Sequence, residues 1–163
     1  MNATPESPHV LSTITDHVCT VTLNRGERFN ALSRPLLAAL ETELERVAAD
    51  RDVRVVVLAA AGRGFCAGHD LRELRSHPDL AWQRELFAAC SRTFTRLTTL
   101  PQPVIARVHG IATAAGCQLV SGDRAVLREG ADRAVRLWSS VCCHAVTSSA
   151  SSGSPAPSLP NRL

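Results

Sequence analysis

The chain contains no lysine and no tyrosine, one methionine, and few aromatic residues (4%). All of its basic residues are therefore arginine, and together with the abundance of alanine this reads as a coding bias that points to no partner. The net charge of +3 is mild, and the arginines are scattered, without a basic stripe or interleaved aromatics, so nucleic acid is not expected as a partner. No stretch reaches the ~18 consecutive apolar residues of a membrane helix, so no membrane association is expected. The opening "MNATPESPHV" has neither an Arg-rich amphipathic pattern nor an apolar leader core, which makes the cytoplasm the expected location. The six cysteines, at 19, 66, 90, 117, 142 and 143, form no CxxC pair and no metal-ligand spacing. No metal site is expected; the first four read as small buried hydrophobes, and adjacent Cys142 and Cys143 are assigned nothing.

What is present is an ordinary globular composition: 163 residues, 45% apolar and 20% charged, enough for one domain with a real core. Residues 17–24, "HVCTVTLN", alternate with Cys19, Val21 and Leu23 on one face, the pattern of a half-buried strand. After "RGERFNALS", Ser33 is placed to cap a helix with Pro35 in its first turn. Leu36, Leu37, Leu40, Leu44, Val47 and Ala48 repeat at helical spacing as far as Asp50. The nearly all-apolar "VRVVVLAA", 53–60, predicts a strand covered on both faces. "GRGFCAGHD" is a loop, and Asp70 with Glu73 matches a helix start. A longer helix is expected over 79–99, with Trp82, Leu86, Ala89, Cys90, Thr93 and Leu97 inward, ended by "LPQP". "VIARVHG", 104–110, is a further strand, and Ala114 or Ala115 begins another helix. Alternation of this kind argues for an α/β layered domain.

Two segments, "FCAGHD" and "IATAAGCQ", share one plan: an apolar strand, a turn of Ala and Gly, then a helix. The first N–H groups of a helix lack internal partners, and small side chains let a ligand oxygen approach them. Two such loops facing each other could each donate one N–H to a single oxygen, forming an oxyanion hole. Tight packing of helix against strand explains the same small residues, and the pattern alone does not decide between the two.

Taken in order, "VTLNRGERFNALS", "VVVLAAAGRGFCAGHDLREL" and "PQPVIARVHGIATAAGCQLV" resemble the crotonase superfamily, the enoyl-CoA hydratase/isomerase family, across residues 12–120. The "GHDL" loop and "ATAAGCQL" turn are most similar to its enoyl-CoA hydratase domain-containing subgroup. The resemblance implies an α/β, crotonase-like (ββα)-type layered spiral fold, cut short after the helix of the second loop begins. It implies an acyl-CoA thioester as substrate, no separate cofactor, and a place in fatty acid metabolism. The family's first oxyanion N–H matches Ala67, in a loop running through Gly68, His69 and Asp70, and its second matches Ala115, beside Gly116. Arg28, Asn30 and Ala31 match the stretch that lies along coenzyme A, where an Arg suits a pyrophosphate.

The departures matter as much. Hydratases of this family use two glutamates, because adding water across a double bond needs a base and an acid. Gln118 occupies the first position, and an amide can orient a water or the thioester but carries no proton near neutral pH. The second would fall near Trp138, where the resemblance has lapsed, and Glu129, the nearest acid, has nothing to recommend it. His69 could touch substrate or be merely solvated; Asp70 reads first as a helix cap; His109 and His144 show no partner.

Three regions are thus expected: a flexible start at 1–11, a family-like core at 12–120, and a divergent tail at 121–163. The tail's "VCCHAVTSSASSGSPAPSLPNRL" has no apolar period and suggests disorder or a reading-frame shift. The family assembles as trimers or hexamers, and the half that assembles is expected to be missing. The leading expectation is a hydratase/isomerase-like lyase or isomerase with impaired catalysis. A non-catalytic acyl-CoA-binding module and a nonfunctional fragment are the alternatives.

Overall fold

The computed structural model describes residues 7–121 and 125–128. In chain order these form β1 (Val10–Thr15), β2 (Val18–Leu23), a 3-10 turn (Gly26–Arg28), α1 (Arg34–Ala49), β3 (Val55–Ala60), α2 (Leu71–Ser76), α3 (Leu80–Thr99), β4 (Val104–Val108), α4 (Ala115–Ser121) and β5 (Ala125–Arg128). The strands make one sheet in the order β1-β2-β3-β4-β5. Only the β1–β2 pair is antiparallel; β3, β4 and β5 follow β2 in parallel.

Three expectations are corrected. The first residues are not all loose, because Val10 and Leu11 open β1. Asp16 (φ 49°) and His17 (φ 66°) form a two-residue hairpin between Thr15 and Val18, the left-handed pair that matches strand twist. β1 is an edge strand whose last five residues are exposed, so it leaves no apolar alternation in the sequence. Second, the ordered fold does not stop at Val120: β5 pairs with β4, Ile105 against Ala125 through Val108 against Arg128. Third, β3 is not sealed on both faces, since Val56 and Leu58 are buried while Val55 and Val57 are only half-buried. The expected tail beyond 128, with Glu129, Trp138, Cys142, Cys143 and His144, lies outside the described residues.

The helices form where the capping chemistry places them. Ser33 Oγ accepts the Leu36 N–H (3.3 Å) at the start of α1, and Asp79 accepts the Trp82 N–H (2.8 Å) at the start of α3. Leu36, Leu37, Leu40, Leu44 and Val47 of α1 join Cys19, Val21 and Leu23 of β2 and Leu86, Cys90 and Leu97 of α3 in one core. Each such leucine contributes about 1.5–3 kcal/mol by leaving water. Gln102, in the "LPQP" break, is buried, and its amide donates to the Val47 and Asp50 carbonyls at the end of α1 (3.0 and 3.3 Å).

Because β2, β3 and β4 run parallel, their C-terminal ends open at one edge of the sheet, where ligands of open α/β sheets bind. Three loops meet there, and Asn30 fixes the first of them. It is fully buried at φ 50°; its Nδ2 donates to the Ala61 and Gly64 carbonyls (2.8 and 3.0 Å) and its Oδ1 accepts the Arg25 N–H (2.8 Å). Asn30→Ala would strand three backbone groups and is expected to cost about 3 kcal/mol. Asn30→Asp, which sets a carboxylate against two carbonyls, is expected to cost more. Urea unfolding of the two variants checks both magnitude and order.

Candidate functional site

Residues 65–70, the loop after β3, run between the other two loops and pair with both. On one side Ala67 N–H donates to the Phe29 carbonyl (3.0 Å), Leu32 N–H to Gly68 (2.8 Å), and Asp70 N–H to Leu32 (3.1 Å). On the other, Phe65 and Cys66 N–H donate to Ile111 (2.9 and 3.1 Å) and Thr113 N–H to Cys66 (3.0 Å). The loop thus behaves as a short central strand, bridged at Leu32–His69 and at Cys66–Ala112.

Two glycines allow this closeness. Gly68 sits at φ 87°, where a Cβ would stand 3.0 Å from the Ala114 Cβ and 3.4 Å from the Ala115 nitrogen. At Gly116 a Cβ would overlap the Cys66 carbonyl oxygen and stand 2.9 Å from its carbon. Gly116 of "GIATAAGCQL" is thus required for contact with the preceding loop.

The backbone donors in this contact are not equivalent. Ala67 was expected to offer the first N–H, yet that N–H is engaged by Phe29. The His69 and Ala115 N–H groups have no hydrogen-bond partner among the described residues. Asn30 is corrected likewise: its buried side chain is spent on three backbone groups of the loops. Ala31 is half-buried, with its carbonyl accepting from Arg25 Nη1 (2.9 Å).

Asp70 is, as expected, a helix cap, accepting the Arg72 and Glu73 N–H groups (3.1 and 3.3 Å) and pairing with Arg25 (3.2 Å). Burial alone would raise its pKa, but hydrogen bonds from the Glu73 N–H, Arg25 and the Arg72 N–H outweigh this and hold it below the usual carboxylate range. A cavity of about 420 Å³ lies beside it, lined by Arg25, Arg28 and Arg72 together with Asp70 and Glu73. Gln118, half-buried on the first turns of α4, makes no side-chain hydrogen bond to any described residue. His109 Nε2 donates to the Gly62 carbonyl (2.8 Å), a structural contact in the loop.

His69 carries more than the sequence could show. Its ring meets Phe87 of α3 edge-on, with centroids 4.8 Å apart. Its Nδ1 is buried with no partner among the described residues. Burial lowers its pKa, which favours the neutral imidazole. The buried thiols are unreactive: burial pushes Cys66 up to about 11 and Cys90 up to about 12. Among the described residues no group of His, Cys, Asp or Glu is arranged to hold a metal ion, and no helix is long and apolar enough to cross a membrane.

The α/β sheet with paired loops at its strand ends is shared with solved enoyl-CoA hydratases, which gives the chain a crotonase-type fold. The sequence profile of enoyl-CoA hydratase/isomerase matches residues 13–133, and the chain belongs to that family. It is 42% identical over 101 residues to the mitochondrial enoyl-CoA hydratase domain-containing protein 3 of Xenopus laevis, covering 62% of this chain and 34% of that protein. It is 39% identical over 123 residues to the 1,2-epoxyphenylacetyl-CoA isomerase of Escherichia coli, covering 72% of this chain and 46% of that one. The crystal structure of an enoyl-CoA hydratase from Mycobacterium smegmatis superposes with a TM-score of 0.73 at 50% identity, over 75% of this chain and 48% of that one. The chain therefore spans less than half the length of these relatives.

Two outcomes follow from the loop geometry. Gly116→Ala is expected to push α4 from the Cys66 carbonyl and cost about 1–3 kcal/mol, measured by urea unfolding. Because the Asp70 carboxylate is favoured by folding, its stabilisation is complete above the unfolded value near 3.8 and is lost as pH falls through its lower folded value. Asp70→Asn should therefore flatten the fall in stability between about pH 5 and pH 2, as followed by thermal unfolding across that range.

Proposed function

We propose that the chain binds an acyl-CoA thioester as a hydratase/isomerase-type protein, with the thioester oxygen received by the His69 and Ala115 N–H groups. The observation that carries this reading is the pair of unengaged backbone donors on apposed loops. Such donors stabilise charge on the oxygen as the thioester becomes an enolate, and they need no reorganisation to do so. The Arg28, Arg25 and Arg72 cluster of the polar cavity supports a place for the phosphates of coenzyme A, which guanidinium groups suit. Gly68 and Gly116 act by clearance, and Asp70 by holding the loop.

Gln118 favours a second reading, a thioester-binding module without hydration activity. An amide can orient a water or the thioester but cannot move the proton that hydration requires.

Calorimetric titration with butyryl-CoA and with free coenzyme A tests the first reading. Butyryl-CoA is expected to bind more tightly, by about tenfold for one good hydrogen-bonded oxygen. Equal affinity, or no binding, would remove the oxyanion role. Crotonyl-CoA hydration, followed by loss of enoyl absorbance, is expected to stay at the buffer rate; hydration well above it would overturn the assignment of Gln118.

A further inference from the structure

Among the described residues β1 pairs only with β2 and forms one edge of the sheet. Its register sets which way each backbone group points. Asn24 N–H donates to the His9 carbonyl (2.8 Å), and bonded pairs alternate along an antiparallel ladder. Leu11, Thr13 and Thr15 therefore bond to β2, and the N–H and C=O groups of Val10, Ser12 and Ile14 point to the open edge. Edges are commonly blunted by charged side chains, proline or a bulge. The strand "VLSTIT" has no charge and no proline, and its pairing runs unbroken from Val10 to Thr15. Ser12 Oγ lies 3.4 Å from Arg46 Nη2 of α1, so Val10, Ser12 and Ile14 share the face that α1 covers. On that face Val10 packs against the core, and Ile14 is left 45% exposed.

We infer that β1 is an interaction edge for a second copy of this chain, the two strands joining antiparallel about a two-fold axis at Ser12. In that register Ser12 meets the partner's Ser12 and Ile14 meets the partner's Val10. Each of these pairs exchanges both N–H···O bonds, so every outward backbone group of β1 from Val10 to Ile14 is satisfied. An axis normal to the sheet keeps each side chain on its own face, as opposed residues require, and the exposed Ile14 gains an apolar partner. Charge agrees with the symmetry. Beside Ser12, Arg46 Nη2 is already paired with Glu43 Oε1 (2.7 Å). The axis repeats that pair in reverse order, so the acid of each copy approaches the base of the other. A single strand pairing falls below the roughly 1,200 Å² of stable interfaces, so the dimer is a weak one that forms at high concentration.

Sedimentation equilibrium of the full chain from about 10 µM to 1 mM tests it, with a monomer–dimer equilibrium expected in that range. Ser12→Pro removes an N–H that β2 does not use, a place where an edge strand tolerates proline. It should raise the dissociation constant at least about tenfold while leaving the circular dichroism unchanged. Ser12→Asp, which satisfies Arg46 but sets like charges opposite each other at the axis, should do the same with the backbone intact, and it decides the matter if the proline variant does not fold. Opposed residues of a bonded pair lie about 5.5 Å apart at Cα, within disulfide range. Ser12→Cys should therefore give a disulfide-linked dimer on mild oxidation, above the level of the unsubstituted chain. Thr13→Cys, which the register sets against the partner's Leu11, should not. A monomer throughout the range, an assembly that Ser12→Asp leaves intact, or equal crosslinking at 12 and 13 would overturn the inference, and none of these outcomes bears on the acyl-CoA reading.

Discussion

The arrangement depends on the loop after β3 pairing with both of its neighbours at once. Parallel strands deliver three chain segments to one edge of the sheet, but parallel pairing alone leaves the loops beyond it free. Here the ladder continues past the strands, through Ala67 to Phe29 on one side and Thr113 to Cys66 on the other. That continuation needs backbone to approach backbone, and therefore needs Gly68 and Gly116 where any side chain would intrude. It also needs the first loop to hold a left-handed turn at Phe29 and Asn30, whose cost the buried amide of Asn30 offsets with three hydrogen bonds. The site is then a by-product of the ladder: what the pairing leaves unpaired is what a ligand can use.

Much of this scaffold is written locally. Ser33, Asp70 and Asp79 each cap the helix that the sequence places after them, because a cap is a contact within three residues. The inward faces of α1 and β2 follow from their apolar spacing, and the structure buries those residues. β1 was not legible, since an edge strand with both faces open has no reason to alternate. Nor was β5, which lies where family-like motifs fade and whose pairing is with a strand some twenty residues earlier.

The site was legible as a pair of loops but not as particular atoms. Which N–H of "CAGHD" is available depends on which carbonyl of the "FNALS" turn faces it, and those segments are separated by the whole of α1 and β3. Sequence reasoning therefore chose Ala67, two residues before the unengaged N–H of His69. Asn30 was read as a ligand contact for the same reason: a buried amide that organises a turn and an exposed one that meets a ligand are the same letter. His69 gave a weak sequence signal, since nothing near it in sequence reports that Phe87 will meet its ring edge-on.

The loop pair therefore combines backbone donors with no obvious proton carrier. Backbone N–H groups can stabilise charge on an oxygen, but a reaction that moves a proton also needs a group whose charge changes near neutral pH. Gln118 cannot change charge, and Asp70 is held ionised by its hydrogen bonds. Burial likewise opposes the charged form of His69. Under the proposed acyl-CoA reading, these groups favour holding and polarising a carbonyl over transferring protons.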